Sequence, residues 1–319
     1  MIERKYDRGI ALLATLLAIS FMTLLVVEFS TSAALGYRAA ANQANELRAY
    51  YLARSGIQVG LAVLVQDYLN KRGAKDQYAS LDQVWAEPIT PIRVEGGTVS
   101  MSIVDEERKL TINKLFNQQK REPDEQYAAV LTRLLSNIGL SPALIPILID
   151  WLDPDSIESD GGAEADYYLH LLPPYEPRNG LMPTIGDLRM LKGMDDTAFL
   201  RLSGYLTTML GGAGHCCVNA NTAPAEVLAA LVPELESNPD LVKQIVAVRA
   251  IRPFSRVTDV LNLPGIGASG EHLKPYLTVN STYFLIIAQG DFAGARKRIY
   301  ASFRRNLNGT AVLLNWHED

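Results

Sequence analysis

Nineteen consecutive residues without a charge, Gly9 through Val27, stand directly behind a charged leader, MIERKYDR. As a helix, such a run rises ~1.5 Å per residue and reaches ~28 Å, close to the ~30 Å hydrocarbon core of a bilayer. It is long enough to cross a membrane. A cleavable secretory signal has a shorter apolar region that ends in a small-x-small site, whereas here the small residue, Gly9, precedes the run. Arg4, Lys5 and Arg8 outnumber Glu3 and Asp7, which places the leader in the cytoplasm and everything beyond Val27 on the opposite side.

The pattern past the anchor predicts that the helix continues. Residues 28–71 contain no proline, and Tyr50, Ala53, Ile57, Gly60, Leu61, Leu64 and Tyr68 recur at steps of three and four, the period of an amphipathic helix. Gly36, Gly56 and Gly60 weaken such a rod by up to ~1 kcal/mol each, unless close packing uses the missing side chain. Alternation over residues 98–104 predicts a strand, with a second at 109–112 forming a hairpin on the stem. Strand-like runs also cover 276–289, 296–303 and 310–316, punctuated by Gly290, Gly294 and Asn308-Gly309.

Between these strands lies a helical middle, with helices expected at 127–135, 142–152 and 187–191. Two short units repeat, Asp187-Leu-Arg-Met-Leu-Lys-Gly193 and Asp259-Val-Leu-Asn-Leu-Pro-Gly265. Each sets an Asp near a helix start and a Gly where the helix stops, the first half of a helix-hairpin-helix. The expected fold class is therefore α+β: a long N-terminal helix on an antiparallel sheet, with a large inserted all-α domain of helix-hairpin-helix or SAM-like type. The expected divisions are a leader (1–9), a membrane segment (10–28), a first α/β part (29–123), an inserted helical domain (124–212), and a second α/β part (213–319) holding a hairpin unit at 255–276.

Asp153, Asp155, Glu158, Asp160, Glu164 and Asp166 place six carboxylates in fourteen residues with no Lys or Arg among them. The segment is either a solvated acidic loop or the seat of a hard divalent cation, and calcium suits an irregular loop better than magnesium. Its spacing is not that of an EF-hand. A net charge of -5 argues against a nucleic-acid partner, although Gly265-Ile-Gly267 resembles the phosphate-facing turn of DNA-binding hairpins. Arg296, Lys297, Arg298, Arg304 and Arg305 form a basic C-terminal arm, read as a solvated strand face or edge protection, with a docking surface for a partner second. The adjacent Cys216 and Cys217 are expected to be small buried strand residues or a link to another chain. Four scattered histidines give no metal spacing, and no catalytic constellation occurs, so an enzyme is not expected.

The order of charged leader, Arg8-Gly9 and unbroken apolar helix resembles that of type IV pilin-like precursors, which are cut after the glycine. With it go Ala49-Tyr-Tyr-Leu-Ala-Arg-Ser-Gly56, Asp150-Trp-Leu-Asp153 followed by Gly162-Ala-Glu-Ala-Asp-Tyr-Tyr168, and Pro173-Pro-Tyr175. Val218-Asn-Ala-Asn-Thr-Ala223 with Glu226-Val-Leu228, and Leu263-Pro-Gly-Ile266, complete the set. Over nearly its whole length the chain resembles the minor pseudopilin K family of type II secretion systems.

That resemblance implies cleavage between Gly9 and Ile10, with Ile10 as the new and N-methylated terminus, and a single-pass inner-membrane anchor carrying a periplasmic head. Pilins commonly carry a glutamate at the fifth mature position to neutralise a neighbour's amine in the bilayer; here it is Ala14, a departure the K class shares. The resemblance further implies a non-enzymatic tip subunit that starts pseudopilus assembly with the I and J minor pseudopilins. Further contacts would be the H and major G pseudopilins, the prepilin peptidase and the assembly platform. Calcium, as one or two ions held among the six carboxylates, is implied as well. The alternative is a minor type IV pilin-like subunit for adhesion or DNA uptake, which usually needs a disulfide-bonded loop that this chain lacks.

Overall fold

The computed structural model describes residues 4–70, 78–209, 217–267, 269–306 and 308–319, with side chains from Ile10 onward. Helix α1 (Arg4–Asn70) is one rod of 67 residues; no proline occurs before Pro88 to break it. Its apolar first part stands clear of the head: among the described residues none before Ala49 is buried. By length and composition this part is apolar enough to span a membrane. A head of residues 37–319 keeps every described buried side chain and so can fold without the anchor.

The second part of α1 lies on a five-stranded antiparallel sheet. The strands are β1 (Ile92–Val94), β2 (Gly97–Asp105), β3 (Tyr283–Phe292), β4 (Ala295–Arg305) and β5 (Ala311–Glu318), hydrogen-bonded in that order. Ala53, Ile57 and Leu64 from α1 meet Met101 and Ile103 from β2, Phe284, Ile286 and Ala288 from β3, and Ile299, Ala301 and Phe303 from β4. The period-two faces of three strands thus share one apolar stripe of the helix. The stem glycines are packing devices: a Cβ on Gly56 would stand 2.8 Å from Val99 Cγ2, and one on Gly60 2.8 Å from Ile286 Cγ2. From the sheet side, a Cβ on Gly290 would lie only 2.0 Å from the Ala49 carbonyl oxygen. Helix and strand backbones nearly touch there.

The expected hairpin between 98–104 and 109–112 does not form. β2 pairs instead with β1, across a turn in which Gly96 has φ +78°. Leu110–Thr111 makes a two-residue parallel bridge with Leu206–Thr207. The Asp105 carboxylate takes the Glu107 N–H at 2.9 Å, closing a 3-10 turn that ends the strand and sends the chain out of the sheet.

Everything from Glu106 to Thr282 is inserted between β2 and β3. It holds α2 (Glu125–Asn137), α3 (Leu144–Leu152), α4 (Ala165–Leu169), α5 (Asp196–Ser203), α6 (Ala225–Ala230), α7 (Pro233–Ser237), α8 (Pro239–Ile251), α9 (Val257–Leu261) and α10 (Ser269–Leu273). The division expected at 124 and 212 is corrected by the packing: one apolar cluster runs from Leu110 to Val279 across both boundaries. Helices this short are not stable alone, so Val227 and Leu228 of α6 and Ile245 of α8 bury with Val130, Leu131 and Leu134 of α2. Arg133 ties α2 to α6, donating to the Ala230 and Leu231 carbonyls at 2.8 and 3.1 Å. The hairpin unit at 255–276 belongs to this cluster, through Val260, Ile266 and Leu273, and not to the sheet. Of the two repeated units, the second opens as α9 and the first as a 3-10 helix, Ile185–Met190, and Gly193 and Gly265 take positive φ beyond them.

A buried polar knot joins the sheet to the helical unit. Asp105, at the end of β2, accepts hydrogen bonds from Ser281 Oγ and Thr222 Oγ1 at 2.6 Å and from Asn219 Nδ2 at 3.1 Å. Asn219 also donates to the Ala79 carbonyl, and Asn221 both donates to and accepts from the Phe254 backbone. The Asn-x-Asn-Thr turn is thereby explained: four buried polar side chains satisfy one another where the two layers meet. Cys217, just before this turn, is half-exposed and outside any strand, unlike the buried strand residue expected; Cys216 lies outside the described residues.

Candidate metal centre

The acidic segment begins inside an apolar helix. α3 reads Leu-Ile-Pro-Ile-Leu-Ile-Asp-Trp-Leu, and a lone carboxylate in such a run must be buried with partners. Asp150 is fully buried. It accepts the Ala163 N–H at 2.8 Å and the Ser159 N–H at 3.2 Å, so that the loop folds back over it. Gly162 permits this, because a Cβ there would sit 1.8 Å from Asp150 Oδ2. Behind the loop Trp151 and Tyr168 stack edge to face at 5.3 Å, and Tyr168 meets Tyr175 at 5.4 Å. The Asp-Trp, Tyr-Tyr and Pro-Pro-Tyr signatures are thus one packed cluster. Lys192 closes the outside, with Nζ donating to the Gly162 carbonyl at 2.8 Å and lying 4.0 Å from Glu158.

Within this frame Asp150, Asp153 and Glu164 converge. One carboxylate oxygen from each lies within 4.8 Å of the others, and all three residues are buried. Asp153 Oδ1 and both Glu164 oxygens are wholly buried with no hydrogen-bond partner. Burial, followed by the charges of Asp155 and Asp150, pushes the Asp153 carboxyl up to about 6. Burial, followed by Asp153 and Asp150, pushes Glu164 up to about 7. Buried acceptors of one sign, aimed at one another and left unbonded, are costly. A hard cation with oxygen ligands would supply both the charge and the coordination they lack.

Of the six carboxylates singled out in the sequence, two, Asp153 and Glu164, enter this cluster. Asp155 is exposed and accepts the Ile157 N–H at 2.8 Å, yet its charge still reaches Asp153 and Glu164. Glu158 and Asp160 stand in solvent. Asp166 is exposed on α4, 3.8 Å from His170. Asp150 was missing from the set, although its isolation among Leu and Ile, three residues before Asp153, is a signal available in the sequence.

The other sequence candidates are placed without a common site. Gly9, Ile10 and Ala14 lie along α1, with Ala14 exposed. The Gly265-Ile-Gly267 turn buries Ile266 in the helical core, as a packing turn would. The basic arm is largely spoken for. Arg296 pairs with Asp291 at 2.7 Å and Arg298 donates to Gln289 at 2.7 Å. Arg305 is buried, stacked on Tyr68 and Phe284, and donates to the Ser281 carbonyl.

Comparison with known proteins agrees with this architecture. Two family models, both described as type II secretion system (T2SS), protein K, match residues 108–210 and 218–280, more than half of the chain between them. The type II secretion system protein K of Pseudomonas aeruginosa is 27% identical over 315 residues, covering 96% of this chain and 91% of its own. That of Klebsiella pneumoniae is 29% identical over 292 residues, covering 88% and 86%. A chain in the crystal structure of the GspK-GspI-GspJ complex of enterotoxigenic Escherichia coli shares the fold, with a TM-score of 0.72 at 19% identity over 88% of this chain and 99% of that one. A long apolar N-terminal helix on an antiparallel sheet, a helical insertion and two matching family models lead to one assignment: the chain belongs to the type II secretion system protein K family, the K minor pseudopilins of that protein-transport machinery.

Proposed function

We propose that this chain is the tip subunit of a type II secretion pseudopilus, acting in assembly and not in catalysis. The observation that carries the reading is Ala14 within an uncharged stretch. A subunit without a carboxylate at that depth has nothing to offset the amine of a subunit ahead of it, and an unpaired charge in a bilayer is expensive. The first position in the filament is the one that makes no such demand. The inserted helical unit supports the same placement, because so broad a head fits an end better than a stack of regularly spaced neighbours. Cleavage between Gly9 and Ile10 would leave the head in the periplasm on an inner-membrane anchor. The complex named for the structural relative makes I- and J-type minor pseudopilins the expected partners.

Calcium is the proposed ion of the acidic centre. Asp150, Asp153 and Glu164 would hold it, with Asp155 adjacent, and its chemistry there is charge neutralisation that locks the loop between α3 and α4. The chain's own residues supply the rest: Gly162 leaves room for the Asp150 carboxylate, and Lys192 fixes the loop from outside.

The test is Gly9→Val in a strain lacking the native gene. The expected result is a full-length precursor retained in the inner membrane and a loss of secretion. Normal secretion alongside uncleaved precursor would overturn the reading.

A further inference from the structure

One member of the basic arm is left without a counter-charge. Arg304 stands exposed on β4, and its side chain pairs with no carboxylate among the described residues. It lies opposite Tyr283 of β3, while the adjacent pair, Phe303 and Phe284, packs against the stem. Side chains alternate along a strand, so Tyr283 and Arg304 belong to the face of the sheet turned away from α1. There the sheet and the helical unit leave a groove of about 460 Å³ between them, a size typical of binding clefts. Met182 and Tyr283 are buried in its lining, and Leu181 and Leu314 are exposed in it. Arg178 lines it as well; its Nε donates to the Leu181 carbonyl at 2.7 Å, and it too pairs with no carboxylate among the described residues. No Asp or Glu lines the groove. Its uncharged polar groups are already bonded: Asn113 holds the Met182 and Thr208 backbone, and Thr208 Oγ1 donates to the Pro183 carbonyl. What the groove can still accept is apolar surface and negative charge.

Beside the groove the sheet ends in an open edge. β5 is hydrogen-bonded to β4 alone, which leaves its outer row of backbone groups available to another strand. It contains neither Pro nor Lys, and Val312, Leu313 and Leu314 are all exposed. Leu314 has no partner on β4, because Ser302 pairs with Asn315 and Phe303 with Leu313. Such a bulge re-aims its side chain, and Leu314 lines the groove. Edge, apolar groove and two arginines thus form one continuous surface. A second copy of β5 would match it poorly, since the one carboxylate on that strand, Glu318, accepts the Trp316 Nε1–H.

We propose that the β5 edge and this groove bind an extended segment of another protein, one face of which carries apolar residues and carboxylates in turn. The segment would add as a further strand along β5, with its backbone supplying the hydrogen bonds. Its apolar side chains would enter the groove, and its carboxylates would meet the guanidinium groups of Arg178 and Arg304.

Fluorescence anisotropy of a labelled peptide, Thr-Val-Thr-Glu-Thr-Val-Thr-Glu, against the full chain in phosphatidylcholine nanodiscs tests the surface. The peptide is expected to bind at least about tenfold more tightly than its counterpart with Lys in place of Glu. The Arg304 side chain makes no hydrogen bond or ring contact among the described residues, so Arg304→Gln and Arg304→Glu should melt with wild type. Arg304→Gln should narrow the difference between the peptides, and Arg304→Glu should reverse it. Methylating alternate peptide nitrogens on the bonding edge keeps the charge and should abolish binding. Equal affinity for the two peptides, no binding of the acidic one up to on the order of 1 mM, or an order unmoved by Arg304→Glu would overturn the proposal. So would an N-methylated peptide that binds as well as the parent, or self-association of the chain through β5 that excludes the peptide and gives the edge to a second copy.

Discussion

Replacing Gly162 by alanine would drive a methyl group into the carboxylate that organises the acidic loop. The new Cβ would stand 1.8 Å from Asp150 Oδ2 and 2.7 Å from its Cγ, more than an ångström inside contact distance, so either the side chain turns away or the loop lifts. Both movements break the hydrogen bonds that Asp150 accepts from Ser159 and Ala163. Hydrogen bonds to a charged group contribute ~1.5–3 kcal/mol each. With partial relaxation of the loop, the expected loss is about 3–5 kcal/mol. Urea unfolding of residues 37–319, with calcium and with chelator, measures it. The calcium-dependent gain should shrink together with the baseline stability, because the displaced carboxylate belongs to the proposed ligand set. Gly204→Ala is the control: a Cβ there meets nothing within 4 Å, and its backbone is right-handed helical, so the change should stay within about 0.5 kcal/mol. A Gly162→Ala head that unfolds at the wild-type midpoint with a full calcium response would refute the reasoning.

Two further outcomes follow from the packing and the charges. Gly290→Ala forces a Cβ to within 2.0 Å of the Ala49 carbonyl; prying the stem off the sheet should cost about 3 kcal/mol or more in the same unfolding assay, and an unchanged midpoint would disprove the backbone contact. Burial, then the Asp105 charge, raises Glu107 to about 8. The folded head therefore holds a proton that the unfolded chain gives up above about 4.5, so this group's contribution to stability falls as pH climbs from there toward 8. Glu107→Gln, which can still accept the Thr282 N–H, should flatten that part of the decline in calcium-saturated samples; parallel profiles for the two proteins would contradict the assignment.

The stem was legible because it obeys one rule over its whole length: an uncharged run followed by a stripe at helical spacing, with no proline. Three of the long strands were legible from alternation at 98–104, 296–303 and 310–316, whereas the run expected at 276–289 forms a strand only from Tyr283 to Phe292, and the short β1 (Ile92–Val94) was not foreseen. The partner of β2 was not legible, since strand pairing is settled by what lies between strands. Here the Asp105 carboxylate turns the chain out of the sheet before residues 109–112 can fold back. The edges of the helical unit were hidden for a related reason. Helices α6 to α8 carry no local mark of which core they join, and only the shared burial with α2 shows it. In the acidic segment, composition singled out six carboxylates, of which the fold brings two, Asp153 and Glu164, together with Asp150. Charge density cannot separate Asp153 and Glu164, which the backbone turns inward, from Asp160 and Asp166, which it leaves in water. Asp150 was overlooked because it belongs to an apolar helix and not to the acidic run.

The most direct test of the central claim is native mass spectrometry of the head, residues 37–319, mixed in calcium with the heads of the I- and J-type minor pseudopilins from the same genome. The account predicts a single complex containing one copy of each, weakened when calcium is chelated. A head that stays alone beside its I and J counterparts, with or without calcium, would contradict it.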